Sequence, residues 1–274
     1  ALTWPGAAGR ALARSKPDAV HIATEGPRGF AARRYCMNRK VPFTTAYHTQ
    51  FPDYFARRTG LPADTFWPYI RWFHRSSQRV MVATETIRNQ LRANGITHLT
   101  HWSRGGDLDC FTPDAPSPAE YAGLQGPILL YVGRVAVEKN IEAFLSCDYP
   151  GTKVVVGDGP ARATLQAKFP DALFLGKRTG SDLAGCYAGA DVFVFPSKTD
   201  TFGLVMIEAL ACGTPVAAFP APGPLDILNE DVGAMSETLA RAIDAARYCD
   251  RRVCAAHRVV WPNGQAVTRL ARSG

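Results

Sequence analysis

The chain has 274 residues, of which 46% are hydrophobic and 10% aromatic. This length and composition exclude a mainly disordered chain and allow two modest domains with packed cores. No apolar run reaches the roughly 18 residues that a membrane-spanning helix needs, which argues against such a helix. The seven cysteines are irregularly spaced and form no CxxC pair. We therefore expect neither a disulfide framework nor a zinc site, and a cytoplasmic location.

The charge is concentrated in the first half of the chain. Residues 1–125 carry 16 Lys and Arg against 9 Asp and Glu, whereas residues 126–274 carry 15 of each kind. A basic half favours anionic partners such as acidic lipid or phosphate-bearing acceptors, although a merely solubilising surface explains it equally well. Because no recognised binding motif accompanies the charge, we expect no nucleic-acid partner.

Short apolar segments alternate with helical patterns along the first half, in the order of a βαβ arrangement. The predicted strands are 18–24, 41–47 and 79–84, and the predicted helices are 30–38 and 85–93. Strands that alternate with helices in this way are typical of a parallel sheet.

Three prolines within residues 111–118 interrupt the pattern and predict a linker there. The alternation then resumes, with strands at 127–133, 152–157, 172–175, 190–195 and 214–219 and helices at 141–146, 182–189 and 202–212. The last of these strands is the last clear one. We therefore predict two Rossmann-like α/β domains, 1–112 and 119–274, whose parallel sheets face each other across a cleft.

The segment 196–208 is the most informative one for function. It follows a buried strand with a polar loop, and Phe202, Gly203 and Leu204 open the next helix. Free amides at a helix start attract phosphate, and a glycine lets a ligand approach the backbone closely. Asp200 precedes the helix, where a helix N-cap is the alternative role for its carboxylate.

Glu208 is a lone carboxylate about two turns into that predicted helix, among apolar neighbours. An ionised group in such surroundings needs hydrogen-bond donors, and ribose or sugar hydroxyls would serve. The alternative is a structural hydrogen bond within the protein.

A second segment, 133–141, also follows a strand directly. Arg134 and Lys139 lie five residues apart in it and can converge on a diphosphate. Surface pairing with Glu138 or Glu142 is the alternative.

Two weaker signals complete the candidate site. Gly157 and Gly159 follow another strand and permit a tight turn near a nucleotide, although this is also an ordinary turn sequence. His48 follows the second strand of the first half and can face the cleft, although a structural histidine is an equal alternative.

Taken together, these motifs resemble family 4 retaining glycosyltransferases, which have the GT-B fold. The second half matches nearly end to end, whereas the first half matches through residues 21–27 and 47–49. The first half is also similar to bacterial α-mannosyltransferases that use GDP-mannose. The motifs that carry the resemblance are Gly133-Arg134 with Glu138-Lys139-Asn140, 157–160, 190–197, Asp200 with Phe202-Gly203 and Glu208, and 213–217.

The resemblance implies a role for each candidate residue. Arg134 and Lys139 would bind the donor diphosphate, Glu208 the ribose and Asp200 the sugar hydroxyls, with His48 near the donor sugar. The glycines and the 201–204 segment would line the donor site; these residues are Gly133, Gly157, Gly159, Thr201, Phe202, Gly203 and Leu204.

The resemblance also implies transfer of a hexose, with mannose favoured, from a GDP- or UDP-linked donor to a lipid or glycan acceptor. The acceptor would attack from the face that the diphosphate leaves. We expect no cofactor and no bound metal, and a cytoplasmic protein that can sit peripherally on an anionic inner membrane face.

Two features depart from the family pattern. The family usually has Glu where Asp200 stands, which can alter sugar choice. The family also begins with a strand and a glycine-rich loop, and we expect Ala1 to lie one or two βα units after that start. Three alternatives follow: a truncated or non-catalytic nucleotide-sugar-binding remnant, a sugar-nucleotide epimerase, and a membrane-docking scaffold.

Overall fold

A computed structural model describes residues 5–102 and 110–257 of the chain. The chain divides into two compact units. The first comprises residues 1–103 together with 199–201, and the second comprises 104–198 and 202–274. Ala1, on which the expectation about a late start rests, lies outside the described residues.

The first unit contains a four-stranded parallel sheet in the order β1-β2-β3-β4. The register pairs Val20 with Phe43 and Val80 with Leu99. Within residues 5–102, five α-helices accompany the strands. In chain order the elements are α1 Pro5–Ser15, β1 Val20–Ile22, α2 Pro27–Arg39, β2 Phe43–Ala46, α3 Phe51–Thr59, α4 Trp67–His74, β3 Val80–Val82, α5 Glu85–Ala93 and β4 Leu99–His101.

The core of the first unit forms because α4 and α5 turn their apolar residues toward the sheet. Ile70, Phe73, Ile87 and Leu91 are fully buried, and α5 begins at Thr84, whose hydroxyl accepts a hydrogen bond from the Ile87 amide. Such a cap satisfies one of the amides that a helix start leaves open. The predicted helix 85–93 is confirmed by α5.

The second unit contains a six-stranded parallel sheet in the order β10-β9-β8-β5-β6-β7. In chain order its elements are β5 Ile128–Val132, α6 Ile141–Leu145, β6 Thr152–Val156, α7 Arg162–Lys168, β7 Leu173–Gly176, α8 Gly180–Ala188, β8 Val192–Phe195, α9 Leu204–Ala211, β9 Val216–Ala218, α10 Pro222–Ile227, β10 Gly233–Met235, α11 Leu239–Ala246 and α12 Arg251–His257. The α/β class with two parallel sheets is confirmed.

The strand order of the second sheet reverses between β5 and β8. From β5 the chain adds β6 and β7 on one side, and then returns to add β8, β9 and β10 on the other. In open parallel sheets this reversal separates the loops at the carboxyl ends of the two central strands and leaves a crevice where ligands bind.

Two element predictions need correction. The helix predicted to begin at Phe202 begins at Leu204, because Gly203 adopts a φ of 97°, which is outside the helical region. The strand at 214–219 is not the last one, because β10 pairs with β9. β10 was missed because its sequence, Gly-Ala-Met, lacks the β-branched and aromatic residues that strands favour.

The proline-rich segment predicted as a linker packs against α8 in the second unit. A Cβ atom on Gly185 would lie 2.1 Å from the carbonyl oxygen of Pro116, and one on Gly189 would lie 2.3 Å from the Ser117 hydroxyl. The Tyr121 hydroxyl also donates to the Cys186 carbonyl, at 3.0 Å. These glycines allow the segment to lie directly on the helix.

Candidate functional site

The two most informative motifs start side by side at the switch point of the second sheet. β5 and β8 are neighbours, with Leu129 opposite Val192, and both loops leave the carboxyl edge of the sheet. The Asn140 side-chain amide donates to the Pro196 carbonyl at 3.1 Å. The structure therefore joins the end of the 133–140 turn to the start of the loop that follows β8.

The 133–140 turn is held from both sides by hydrogen bonds. The Tyr131 hydroxyl donates to the Arg134 carbonyl at 3.0 Å, and the Val135 amide donates to the Asp158 carbonyl at 2.9 Å. The backbone of the turn is thereby fixed, while the Arg134 side chain remains 65% exposed. Arg134 lies 3.6 Å from Glu138, the surface pair considered from the sequence. A pair this exposed contributes about 0–1 kcal/mol, so a phosphate could readily displace it.

The turn at 157–160 owes its first glycine to contact between neighbouring loops. A Cβ atom on Gly157 would lie 1.8 Å from the carbonyl oxygen of Gly133, and its φ of 135° disfavours other residues. The Gly133 amide donates to the Val156 carbonyl at 3.0 Å. Loop packing alone therefore requires this glycine, whatever ligand lies nearby.

A hollow of about 270 Å³ opens at the carboxyl ends of β5, β6 and β7. Its lining includes Arg134, Lys177 and Arg178, against one carboxylate, Asp158. Lys177 and Arg178 were not predicted as site residues. Both residues directly follow β7, and a position after a strand is a sequence signal for a ligand-binding loop. The sequence does not show, however, that β7 lies next to β6, which is what brings the two residues to this hollow. Arg178 also pairs with Glu120.

The start of α9 is the second element of the site. Gly203 is its N-cap and, as a glycine, has no side chain with which to cap the helix. The suggestion that Asp200 caps it is therefore wrong. The φ of 97° at Gly203 disfavours any residue with a Cβ, and a Cβ there would also lie 3.1 Å from the Phe195 ring. The N-cap of α9 thus offers no side chain to the first-turn amides, and amides at a helix start attract anions.

Glu208 lies half-buried on α9 and accepts a hydrogen bond at 3.0 Å from the fully buried Tyr187 hydroxyl. Burial raises the pKa of the Glu208 carboxyl, and the Tyr187 bond only partly offsets this rise. The structural hydrogen bond considered from the sequence is therefore present. It involves one carboxylate oxygen, Oε2, and a carboxylate can accept further bonds.

In the first unit, His48 and the 199–201 segment lie together. The Thr201 hydroxyl donates to the His48 carbonyl at 2.8 Å, and Asp200 forms an isolated antiparallel bridge with Thr49. The His48 ring lies 5.3 Å from the Trp102 ring, between centroids. Trp102 was not predicted, because nothing in the sequence indicates that the residue after β4 reaches His48.

Within residues 5–102 and 110–257, no group of three or more His, Cys, Asp or Glu side chains could hold a metal ion. Across the same ranges, no helix is both long enough and apolar enough to cross a bilayer.

Two parallel α/β units, the second with a cationic turn and a helix that begins at a glycine beside its switch point, define a GT-B-type architecture. Two family models match the chain: Glycosyltransferase Family 4 over residues 1–110 and Glycosyl transferases group 1 over residues 126–250. Both parts of the chain therefore match models of glycosyltransferases, the first part that of family 4.

Curated relatives agree with this assignment. A GDP-mannose-dependent alpha-mannosyltransferase of Mycobacterium tuberculosis is 36% identical over 80% of this chain and 60% of its own length. One of Corynebacterium glutamicum is 34% identical over 89% of this chain and 63% of its own. Sulfoquinovosyl transferase SQD2 of Arabidopsis thaliana is 35% identical over 80% of this chain and 46% of its own length. The chain thus spans about half to two thirds of the length of these relatives.

Solved structures show the same fold. Sucrose-phosphate synthase from Thermosynechococcus elongatus aligns with a TM-score of 0.79 and 23% identity, over 98% of this chain and 76% of its own. Anabaena HepE in complex with UDP-glucose aligns with a TM-score of 0.73 and 17% identity, over 98% of this chain and 82% of its own. At these identities the likeness concerns the fold alone.

Proposed function

We propose that this chain carries the donor-binding machinery of a retaining glycosyltransferase that transfers a hexose from a nucleotide-diphosphate sugar to a lipid or glycan acceptor. The observation that carries the proposal is the junction at the switch point of the second sheet. There the 133–140 turn touches the loop that leads to the start of α9.

The proposed role of this junction is to bind and neutralise the donor diphosphate. Arg134 offers a forked contact and Lys139 a point charge, while the first-turn amides of α9 offer hydrogen bonds. These groups favour the transition state because negative charge grows on the diphosphate as the bond to the sugar breaks. Gly133, Gly157 and Gly159 shape the turns beneath the ligand.

The sugar and ribose contacts are proposed for Glu208 of the second unit and for Asp200 and His48 of the first. Glu208 accepts from the ribose hydroxyls through its remaining acceptor capacity. Asp200 and His48, which lie close together in the first unit, contact the sugar. The backbone of residues 201–204 completes the donor site.

In the proposed reaction the acceptor hydroxyl attacks the anomeric carbon from the face that the diphosphate leaves. The sugar–phosphate C–O bond breaks, a new C–O bond to the acceptor forms, and the acceptor proton passes to a leaving phosphate oxygen. Arg134, Lys139 and the α9 amides stabilise the leaving group throughout.

Mannose and GDP are the favoured donor parts, because two relatives at 34–36% identity are named GDP-mannose-dependent alpha-mannosyltransferases. The sulfoquinovosyl transferase, at 35% identity, favours testing other sugars alongside. The excess positive charge of residues 1–125 supports an anionic acceptor or a peripheral membrane position on the cytoplasmic side.

Calorimetric titration with GDP-, UDP- and ADP-sugars tests this function. We expect saturable binding, tightest for GDP-mannose, and weaker binding together with slower transfer after Arg134→Ala or Lys139→Ala. Arg241 is an exposed arginine of α11, and Arg241→Ala is the matched control, which should leave both donor binding and transfer unchanged.

Each result has a distinct meaning. Absence of binding to every nucleotide sugar would contradict the proposal. Binding without transfer to any acceptor would favour the alternative, a nucleotide-sugar-binding remnant. Wild-type kinetics in both the Arg134 and Lys139 variants would remove these residues from the diphosphate site.

A further inference from the structure

A second pocket lies in the first unit, away from the residues assigned above. It has a volume of about 530 Å³ and is formed by α4 and the loop that leads into β4. Residues 95–98 directly precede β4, so the pocket lies at the amino-terminal edge of the parallel sheet. His48 follows the carboxyl end of β2 and therefore lies at the opposite edge of that sheet. Its volume is within the range of about 300–1,000 Å³ typical of ligand sites. The lining residues are Pro68, Arg71, Trp72, Arg75, Gly95, Ile96, Thr97 and His98.

The lining carries positive charge without a carboxylate. Arg71 lies in the last turn of α4 and Arg75 is the C-cap of that helix, so the two lie about one turn apart, and both are exposed. Among the described residues neither takes part in an ion pair. Burial lowers the pKa of the neighbouring Arg33 guanidinium, and the charge of Arg75 lowers it further. Arg33 and Arg75 therefore repel each other, and an anion bound at Arg75 would relieve that repulsion.

The walls of the pocket are fixed in place before any ligand arrives. Arg33 donates to the Phe73 carbonyl at 3.0 Å and stacks over the Trp72 ring at 4.0 Å. On the other side, His98 Nε2 lies 3.1 Å from the His74 carbonyl. Because a carbonyl only accepts, Nε2 carries the proton and donates. Such preorganisation lowers the entropy cost of binding.

We propose that this pocket is a second anion-binding site, which takes the phosphate group of a phosphate ester. Arg71 and Arg75 bind the phosphate oxygens, since guanidinium groups match phosphate geometry. The apolar part of the lining, Trp72 with Pro68 and Ile96, contacts the remainder of the ligand. A soluble phosphate ester and a phospholipid headgroup share this chemistry.

Arginine labelling with phenylglyoxal, mapped by mass spectrometry at fixed ionic strength, tests the site in the full chain. One arm adds pyrophosphate, and the other adds phosphatidylcholine vesicles with or without phosphatidylglycerol. At a ligand concentration about ten times Kd, labelling of Arg71 and Arg75 should fall about tenfold. Arg34 and Arg39, exposed on α2, are internal controls and should label at an unchanged rate.

The two arms separate the sources of the phosphate. Protection by pyrophosphate indicates a soluble ligand, and protection by phosphatidylglycerol vesicles alone indicates a lipid headgroup; either result supports the site. Equal labelling of Arg71 and Arg75 with and without both ligands would overturn it. Equal protection of Arg34 and Arg39 would also overturn it, because that result indicates diffuse surface charge. Labelling of Arg134 in the same samples reports on the donor site independently.

A pair of variants tests the pocket without touching its arginines. Thr97 is an exposed lining residue, so its replacement should not disturb folding. Thr97→Glu places a carboxylate in the pocket and should abolish protection of Arg71 and Arg75. Thr97→Gln, similar in size but neutral, should retain it. Full protection in the Glu variant would contradict binding in this pocket.

Discussion

Replacing Glu208 with Gln tests the proposed ribose contact of this side chain separately from its structural hydrogen bond to Tyr187. Glu208 accepts a bond from the Tyr187 hydroxyl at 3.0 Å, and a glutamine carbonyl can accept the same bond. Burial raises the pKa of the Glu208 carboxyl, so its ionised form is unfavourable unless a ligand donates hydrogen bonds. We therefore expect Glu208→Gln to weaken nucleotide binding while the fold is kept or made more stable at neutral pH.

The expected loss of affinity follows from the change in charge. A hydrogen bond to a charged acceptor contributes about 1.5–3 kcal/mol and one to a neutral acceptor about 0.5–1.5 kcal/mol. Losing the charge should therefore cost about 1–2 kcal/mol, or roughly a five- to thirty-fold rise in the Kd for the nucleotide.

The pH dependence provides a second check on Glu208. Because its folded-state pKa lies above the ordinary value of 4.5, the native chain holds more protons than the unfolded chain in that window. Wild-type stability should accordingly fall as pH rises from about 4.5 through the folded-state pKa, and the Gln variant should lack this contribution. The affinity difference should shrink as pH falls, because wild-type Glu208 is then protonated.

The assay is calorimetric titration of the nucleotide together with urea unfolding of each variant over this pH range. Glu142→Gln is the matched control, since Glu142 is exposed on α6 and pairs with Lys168 on the surface. It should change neither Kd nor unfolding by more than about 1 kcal/mol. An unchanged nucleotide Kd in Glu208→Gln at neutral pH would refute the ribose role.

Three further substitutions test the loops of the second unit. Gly157→Ala places a Cβ atom 1.8 Å from a backbone carbonyl oxygen, so we expect a loss of at least about 3 kcal/mol in urea unfolding; a wild-type midpoint would contradict the loop contact. Asn140→Ala removes the bond to Pro196 and places alanine at a φ of 55°, so it should cost about 2 kcal/mol of stability and weaken donor binding, as measured by unfolding and titration. Unaltered donor affinity would show that the junction does not support the site. Glu138→Gln removes the exposed partner of Arg134 and should leave donor Kd equal or lower; a rise matching that of Arg134→Ala would assign Arg134 to the ion pair.

Much of the fold follows from local sequence patterns. Buried parallel strands such as β8 are continuous apolar runs with clear ends, and α5 has a threonine cap that marks its start. β10 gave no such signal, because its residues are small and its strand character comes from pairing with β9. The start of α9 was misplaced by two residues, since the positive φ that keeps Gly203 out of the helix is not visible in a local apolar pattern.

The loops that form the candidate site could be predicted from the sequence, but the contacts between their residues could not. Ligand loops follow strands, so Arg134 and Gly203 could be found in the sequence. Lys177 joins the hollow only because β7 lies beside β6, which no local pattern reveals. The bonds from Tyr187 to Glu208 and from Asn140 to Pro196 likewise depend on tertiary packing across 21 and 56 residues.

Hydrogen exchange of the full chain with GDP, GMP and guanosine is the most direct measurement of whether one pyrophosphate is bound by both loops of the second unit. The account predicts that GDP slows amide exchange in residues 133–140 and in residues 203–206 together, with the same concentration dependence. GMP should protect both segments much less, and guanosine should protect neither. Protection of only one segment by GDP, or equal protection by GDP and guanosine, would contradict the account.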